Sequence, residues 1–577
     1  MNIIGLNVSN SISIQKEVYM SDYFDSKALA KELEESIDYD RIHKDLLVFN
    51  DLERYTGEEA GEAAAAYILK RLRELGIDTE EEVYPVYRSL PIDGATVSAC
   101  GKVFESIPFV YSAPAKGFKG VLCYDKMSEN GKCSQKDMVE RVKPFCGKIV
   151  LTYDESFEFA RAAAKAGAVA IVTIWRANLL HHGTLGGVWG APEPEQLLTR
   201  YPMIPYTEIG LDNGKWLADQ VQKGEVEAEL NIEMRNGVLD STMAIGNIKG
   251  KSDHYVLVSG HYDSWWEGIT DNGVANVFML ELARLLKERQ DKLGRSVKLA
   301  WWTGHSDGRY AGSTYYFDKH FADLKKNCVA HLNMDICGCK GSDLVGLNTA
   351  RLEGRQFNFD FLPDFNDGPI IEPVPMARFA DQTFWGADVP FTIMPKYSKR
   401  EGGFFWWHTK EDTLDKVDPK IAVRDGKVIA RLTAIFANED RLPAHFVEFA
   451  DWMKDQLDDL NNDLCDGFDL SPVYAPLASL RDELVKIDGS KCCGDAFDDL
   501  IMRIGGPLTR LVYTAESAYD QDPAVEGGLF PGMNVARGLT RDNTTPEYFL
   551  AAQTRFVRQR NRFVDVVEAV TEFCKTL

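Results

Sequence analysis

Apolar and polar residues alternate along the chain with two periods, and each period predicts one kind of element. The run GEAAAAYILKRLREL at 61–75 is rich in helix formers with apolar residues on one face, and it predicts a helix that ends at Gly76. The following EEVYPVYRSL alternates apolar and polar side chains and predicts a strand. Between 245 and 440, the strand patterns HYVLVSG, SVKLAWWTG and CVAHLNMDICG alternate with helical runs such as NGVANVFMLELARLLKER. Strands that alternate with helices predict an α/β fold with a doubly wound, mainly parallel sheet.

The pattern changes in two other regions of the chain. GKIVLTYDESFEFARAAAKAGAVAIVTIW predicts strand, helix and strand in a short span, which is typical of a small separate unit. The tail contains two long amphipathic helical patterns. Because 577 residues exceed what one hydrophobic core usually organises, we predict four segments. They are an N-terminal part of the main domain (1–95), an inserted domain (96–244), the main sheet with its ligand site (245–440) and a helical domain (441–577).

Charge and composition exclude several classes of function. The formal net charge is −23, from 88 acidic and 65 basic residues, which argues against a protein that binds nucleic acid. No run of about 18 apolar residues predicts a membrane span, and the first 20 residues lack the pattern of a secretion signal. The 11 cysteines are odd in number and scattered, which favours free thiols in a reducing compartment. We therefore expect a cytoplasmic protein.

Histidines and carboxylates follow the predicted strands where each strand ends. His261 ends the first strand of the main sheet, Asp271 begins the long helix, and Asp335 and His408 follow later strands. The carboxyl ends of parallel strands meet at one edge of a sheet, so we expect these side chains to converge. Imidazole and carboxylate bind zinc, and Asp263 is placed to accept the second N–H of the first imidazole. Each residue alone is more often a cap or a polar turn residue; their recurrence predicts a site for one or two divalent ions, with zinc expected and manganese, iron or cobalt left open.

Five segments together resemble the co-catalytic di-zinc aminopeptidase family, which includes glutamate carboxypeptidase II and the transferrin receptor. Gly260–Trp265 resembles the first histidine ligand with its supporting aspartate, and Thr270–Asn272 resembles the segment with the bridging aspartate. Asn333–Asp335 and His408–Thr413 resemble the remaining ligand segments, and Ala380–Phe384 resembles the substrate-side segment. The resemblance covers most of the chain and implies a metal-dependent hydrolase with a zinc aminopeptidase-like fold.

The resemblance also implies partners and substrate contacts. The inserted segment is similar to a protease-associated domain, and the tail is similar to a dimerisation domain, so we expect a homodimer that acts on a small molecule or short peptide. Asp381, Arg378, Trp407 and His182 are the expected substrate-binding residues. Arg378 could equally form a structural ion pair, and His182 lies in a Gly-rich stretch that could be a solvated loop.

The catalytic segment departs from the family pattern. That pattern is Gly-Glu-Glu-x-Gly-x-x-Gly-Ser, in which the first Glu is the general base and the second binds a metal. Here the frame begins Gly304-His305-Ser306, so both carboxylates are replaced while the later glycines and serine remain. A serine hydroxyl is a weaker zinc ligand than a carboxylate, so we expect a weakened second metal position. We expect His305 to act as the general base or as an additional ligand, with Asp263 assisting catalysis.

Three functions remain open from the sequence. The first is a hydrolase of a peptide bond or a small amide. The second is a single-metal enzyme of another class, such as a cyclase or lyase, because the resemblance extends to glutaminyl cyclases. The third is a non-catalytic, receptor-like protein. The retention of four ligands speaks against the third, and the metal content of the purified protein separates the three.

Overall fold

The structure is a computed structural model that describes residues 23–577 except positions 132, 133, 202, 369, 371, 373, 377, 379, 525 and 526. The N-terminal segment that was inspected for a secretion signal lies outside this range. The described part of the chain forms two eight-stranded sheets. Their strands are β1 (Asp78–Pro91), β2 (Thr96–Ala99), β3 (Lys102–Glu105), β4 (Ile107–Pro108), β5 (Ala115–Tyr124), β6 (Ile149–Thr152), β7 (Ala170–Ile174), β8 (Tyr206–Ile209), β9 (Glu227–Ile232), β10 (Met234–Ile248), β11 (Tyr255–His261), β12 (Ser296–Trp302), β13 (Cys328–Asn333), β14 (Leu344–Thr349), β15 (Val374–Pro375) and β16 (Phe391–Ser398).

Helices cover the main sheet and form the tail. Within the described residues they are α1 (Ser26–Glu35), α2 (Tyr39–Asn50), α3 (Glu59–Glu74), α4 (Gln135–Val142), α5 (Phe157–Lys165), α6 (Pro194–Thr199), α7 (Leu211–Lys223), α8 (Val274–Lys287), α9 (Ala311–Asn327), α10 (Gly354–Phe361), α11 (Pro419–Asn438), α12 (Phe446–Asn462), α13 (Ser471–Asp488), α14 (Gly494–Tyr513), α15 (Pro531–Asn534) and α16 (Pro546–Lys575). Searching these described residues, we found no helix that combines the length and the apolar character needed to cross a bilayer.

The main sheet has the strand order β1-β10-β12-β11-β13-β16-β14-β15. Its four central strands, β12, β11, β13 and β16, pair in parallel, while β1, β10 and β14 pair antiparallel towards the edges. This confirms the predicted α/β class with a mainly parallel centre. The antiparallel strands near the edges were not predicted.

Side chains of β11 alternate between two cores, which shows why helices lie on both faces. Val256 and Val258 belong to the core shared with α8 and α11, whereas Tyr255 and Leu257 belong to the core shared with α9. A strand buried on both faces is a continuous apolar run, and that pattern marked β11 in the sequence.

The second sheet has the order β3-β2-β9-β5-β6-β7-β8-β4, with β5 to β8 parallel. Its strands come from the chain between β1 and β10, which pair antiparallel along their whole length. The inserted sheet is therefore tied to the main sheet by a two-stranded ribbon. The four-segment division of the chain stays a prediction.

Candidate metal centre

Predicted ligands meet at the carboxyl edge of the main sheet. His261 is the last residue of β11, Asp335 follows β13, and Asp271 lies in the turn that leads into α8. His305 follows β12, and His408 lies in the loop between β16 and α11. The loops after neighbouring parallel strands thus bring these side chains together, because the carboxyl ends of such strands lie at the same edge of the sheet.

Three of these side chains form a buried trio. His261 Nε2 lies 3.1 Å from Asp271 Oδ1 and 3.3 Å from Asp335 Oδ1. None of the three atoms has a hydrogen-bond partner among the described residues, although all three are buried. Two ligand atoms that each lie about 2.1 Å from one tetrahedral cation stand roughly 3.4 Å apart. The trio therefore has the donor types and the spacing that a divalent cation needs.

Asp271 also faces a second histidine. Its other oxygen, Oδ2, lies 3.2 Å from His408 Nε2, so one carboxylate stands between two imidazoles. A carboxylate so placed would be able to offer one oxygen to each of two divalent ions. Ser306 stands where the family has a glutamate, and its backbone N–H donates to Asp263 Oδ2 at 3.0 Å. The second position consequently has fewer strong ligands than the first.

Charges within the trio control its protonation. Burial alone would lower the pKa of His261, but Asp335, Asp263 and Asp271 outweigh it and raise that pKa well above its ordinary value. Burial would raise the pKa of Asp271, but His261 and His408 lower it well below its ordinary value. The same carboxylates that favour the charged form of His261 would also favour a bound cation.

Hydrogen bonds from outside the trio orient its members. Asp412 accepts from Thr270 N at 3.0 Å, Thr270 Oγ1 at 2.7 Å and Asp271 N at 3.0 Å, and it fixes the turn that carries Asp271. His408 Nδ1 lies 3.0 Å from the carbonyl oxygen of His182. Donation to that carbonyl directs the lone pair of His408 Nε2 towards Asp271.

Asp263 supports the centre differently from the prediction. His261 Nδ1 lies 2.9 Å from the backbone oxygen of Asp263 and 3.6 Å from its carboxylate. The carboxylate instead accepts from His305 N at 3.3 Å and from Ser306 N. Asp263 therefore shapes the loop that replaced the family's glutamates.

His305 stands against the trio. Its ring stacks on His261 with centroids 3.8 Å apart and planes 11° apart. One ligand atom of His305 lies within 4.8 Å of ligand atoms of His261 and Asp335. Asp307, the remaining carboxylate of this loop, is buried and does not line the adjacent cavity, so it does not replace the missing glutamates.

Asp381 holds His305 from behind. Its Oδ2 lies 2.9 Å from His305 Nδ1, and its Oδ1 accepts from Ser313 Oγ at 2.7 Å. Burial raises the pKa of Asp381, but His305 and Ser313 outweigh it and lower that pKa. Asp381 is fully buried and does not line the cavity, which corrects its predicted contact with substrate: it touches His305 instead. The family frame retains Ser313, but the sequence holds no signal for the contact between Asp381 and His305.

A cavity of about 350 Å³ opens over the centre. Three of the four predicted substrate residues line it: His182, Arg378 and Trp407. Trp407 stacks on His408 at 3.7 Å. The remaining lining residues are Val110, His181, Gly183, Thr184, Trp265, Asp271, His305, Ser306, Arg309, Tyr310, Asp335, Ile336, Met394, His408 and Ala524.

Arg378 is both anchored and directed at the cavity. Its Nη2 donates to Gln521 Oε1 at 2.9 Å and to Asp522 O at 3.1 Å, and its guanidinium lies 4.0 Å from the centre of a Trp189 ring. Burial lowers its pKa to about 10, so it stays charged at neutral pH. Arg309 also lines the cavity, and its Nη2 donates to Ala524 O at 3.0 Å.

The fold and the convergence of these side chains resemble those of the co-catalytic zinc aminopeptidase family. More particularly, residues 244–367 match the model of Peptidase family M28. Leucine aminopeptidase 2 of Trichophyton equinum is 29% identical over 249 residues, which cover 42% of this chain and 46% of that protein. Carboxypeptidase Q of Mus musculus is 23% identical over 339 residues, covering 56% and 67%. These matches confirm the predicted resemblance, and the chain spans about half the length of the first curated relatives it matches.

Solved structures share the fold. An aminopeptidase from Aneurinibacillus sp. strain AM-1 superimposes with a TM-score of 0.56 at 18% identity, over 71% of this chain and 96% of that chain. BSAP, a zinc aminopeptidase from Bacillus subtilis, gives 0.53 at 20% identity, over 70% and 94%. At these identities the likeness concerns the fold alone.

Proposed function

We propose that this protein is a metal-dependent hydrolase that cleaves a peptide bond or a related amide in a small substrate. The observation that carries the proposal is the trio of His261, Asp271 and Asp335, whose facing atoms are buried without hydrogen-bond partners. Relatives named as a leucine aminopeptidase and a carboxypeptidase Q support the same reaction class. A cavity of about 350 Å³ is suited to a short peptide.

The chain's own residues supply proton transfer and orientation. A bound divalent cation would polarise the substrate carbonyl and lower the pKa of water. In the neutral ring, Nδ1–H of His305 donates a hydrogen bond to Asp381, which leaves Nε2 unprotonated and able to accept a proton from attacking water. Arg378 and Arg309 offer charge to a substrate carboxylate at the cavity wall.

We further propose one tightly bound zinc ion and a weaker second one. The first position has His261, Asp271 and Asp335, whereas the second has His408 and the other oxygen of Asp271. Removing a second carboxylate ligand in favour of Ser306 lowers the charge available to the second ion. Zinc titration with metal analysis should then give two unequal affinities for this centre.

The reaction is tested with purified protein, aminoacyl p-nitroanilides and a dipeptide panel in H₂¹⁸O. Hydrolysis places one ¹⁸O atom in the released carboxyl group, whereas a cyclase or lyase reaction releases product without it. The variant Asp335→Asn should lose both tight zinc and turnover, while Asp367→Asn, which changes an exposed aspartate, should retain both. Full turnover of Asp335→Asn without metal would contradict the proposal.

His305→Ala separates the two roles of this side chain. If Nε2 is the proton acceptor, the variant keeps its tight zinc and loses turnover by roughly 10²–10⁴-fold. If His305 is instead an essential ligand, tight zinc is lost along with turnover, and the general-base assignment fails.

The assembly and location are proposals of the same kind. We propose a homodimer through the helical tail, because Leu550 and Val557 lie seven residues apart on α16 and are largely exposed. We propose a cytoplasmic location and a protease-associated type for the inserted segment; Cys100 and Cys146 are exposed free thiols. Sedimentation equilibrium of the wild type and of Leu550→Glu tests the dimer, and cell fractionation tests the location.

A further inference from the structure

A second cluster of potential ligands lies in the inserted sheet. Glu155 follows β6, His181 lies in the loop after β7, and Glu208 is near the end of β8. These three strands are parallel neighbours, so the cluster occupies the carboxyl edge of the second sheet. The main sheet holds its own ligands at the corresponding edge.

The cluster has the geometry of a cation site. One ligand atom from each of Glu155, His181 and Glu208 lies within 4.8 Å of the other two. His181 Nδ1 is 3.8 Å from Glu208 Oε1. Zinc and similar ions bind this mixture of imidazole and carboxylate and accept water at a remaining position.

Buried atoms of the cluster have no ordinary hydrogen-bond partner. Glu208 is fully buried and His181 is 4% exposed. Neither oxygen of Glu208 and neither ring nitrogen of His181 has a hydrogen-bond partner of ordinary geometry among the described residues. Burial raises the pKa of Glu208 well above its ordinary value, and the nearby backbone N–H of His181 opposes this only in part. The His181 ring is held flat against Trp175 at 3.9 Å, so the ring plane is fixed. Buried polar atoms are seldom left in this state unless an unseen water or ion binds them.

Protein cations do not neutralise the cluster by contact. Among the described residues, no lysine or arginine forms an ion pair with Glu155 or Glu208. Arg176 acts on both only through space, and its guanidinium lies 5.5 Å from the ring of Trp175. The remaining alternative to a metal is a proton shared by the two carboxyl groups.

Two other groups of histidine and carboxylate lack this character. Glu82 already contacts His320 and Lys319 at 2.9 Å each. Asp498 forms a buried pair with Arg295. Their carboxylates are neutralised by the protein itself, so the same reasoning assigns no cation to them.

We propose that Glu155, His181 and Glu208 bind a structural divalent cation of the zinc class, distinct from the metal centre of the main sheet. His181 and His182 both line the cavity, and backbone and side-chain bonds join His182 to His408. The cation would fix the loop that forms one wall of the cavity and orients His408. This inference does not depend on the proposed reaction.

The test counts metal in the full-length protein. Wild type and variants are saturated with zinc, passed through a desalting column and measured by inductively coupled plasma mass spectrometry. Glu208→Gln and Glu155→Gln should each lose one equivalent relative to wild type, and combining either with Asp335→Asn should remove a further equivalent. Glu158→Gln, an exposed change on the first turn of α5, should leave the count unchanged.

Circular dichroism confirms that each variant is folded before its metal is counted. If Glu208→Gln fails to fold, Glu155→Gln, at a partly exposed position, provides the measurement. A wild-type count retained by the folded Glu155→Gln variant would overturn the proposal and leave the shared proton as the explanation. Loss of one zinc equivalent from a variant that keeps Asp335 supports the proposal if the main centre still binds its metal. Loading the same variant with cobalt instead of zinc checks this, because the cobalt spectrum of the main centre should be retained.

Discussion

The substitution Asp381→Asn should inactivate His305 as a general base, because it moves the proton of the neutral ring from Nδ1 to Nε2. The expected orientation of the new amide follows from the hydrogen bonds on the far side of Asp381. Trp189 Nε1 donates to Thr383 Oγ1 at 3.0 Å, and the hydroxyls of Thr383 and Ser313 lie 2.9 Å apart. Ser313 Oγ then donates to Asp381 Oδ1 at 2.7 Å. Because Ser313 donates to this position in the wild type, we expect the amide oxygen to replace Asp381 Oδ1 and the NH₂ group to face His305.

An NH₂ group 2.9 Å from His305 Nδ1 requires that nitrogen to be an acceptor. The proton of the neutral ring then moves to Nε2, where it blocks acceptance of a proton from water. General-base catalysis contributes about 10²–10⁴-fold, so kcat/KM should fall by that factor, or about 3–5 kcal/mol. Raising the pH should not restore activity, because the neutral ring itself holds its proton on the wrong nitrogen.

The assay compares kcat/KM for five proteins with equal zinc content: wild type, Asp381→Asn, His305→Ala and the two double variants that combine Asp381→Asn with His305→Ala or with Ser313→Ala. The change Asp381→Asn should cost nothing further in a His305→Ala background. Replacing Ser313 by Ala as well should let the amide rotate, so the Ser313→Ala/Asp381→Asn protein should recover part of the lost activity. Wild-type activity in Asp381→Asn, or an equal loss with and without His305, would refute the proton-orienting role.

Three further outcomes are expected. Asp498→Asn should lower the free energy of unfolding by about 3–5 kcal/mol, since it leaves Arg295 charged and buried at the contact between α14 and the main domain; chemical denaturation measures this. Burial raises the pKa of Glu353 from 4.5 to about 7, so the native state holds its proton more tightly and stability falls as pH rises between these values. The Glu353→Gln variant has no such proton to lose, so its stability should not fall in this way. Its free energy of unfolding relative to wild type should rise by up to about 3 kcal/mol between pH 4.5 and 7.5, and thermal midpoints measured over this range check it. In zinc titrations His408→Ala should lose only the weaker ion, whereas His261→Ala should lose the tighter one.

The positions of the metal ligands could be predicted because they depend on a regular pattern. Each predicted ligand follows an apolar strand run or begins a helix, and the parallel topology carries such positions to one sheet edge. His261 Nε2 accordingly lies within 3.3 Å of a carboxylate oxygen of both Asp271 and Asp335. The central parallel strands were predicted for the same reason, since strands and helices alternate in the chain.

Contacts between irregular loops could not be predicted. Asp381 and His305 are 76 residues apart and lie in segments without periodic pattern, so nothing in the sequence records their 2.9 Å contact. The family resemblance implied that Asp381 contacts substrate. In this chain a histidine stands in place of the first glutamate of the family pattern, and Asp381 contacts that histidine instead. The carboxylate of Asp263 likewise turned to the backbone of the altered loop.

The hydrogen bonds between His182 and His408 connect the second sheet to a proposed metal ligand of the main sheet. The N–H of His182 donates to the carbonyl of His408 at 3.0 Å, and the imidazole of His408 lies 3.0 Å from the carbonyl of His182. The loop that forms one wall of the cavity therefore also orients the imidazole of His408. A change in that segment is therefore expected to alter both the shape of the cavity and the orientation of His408.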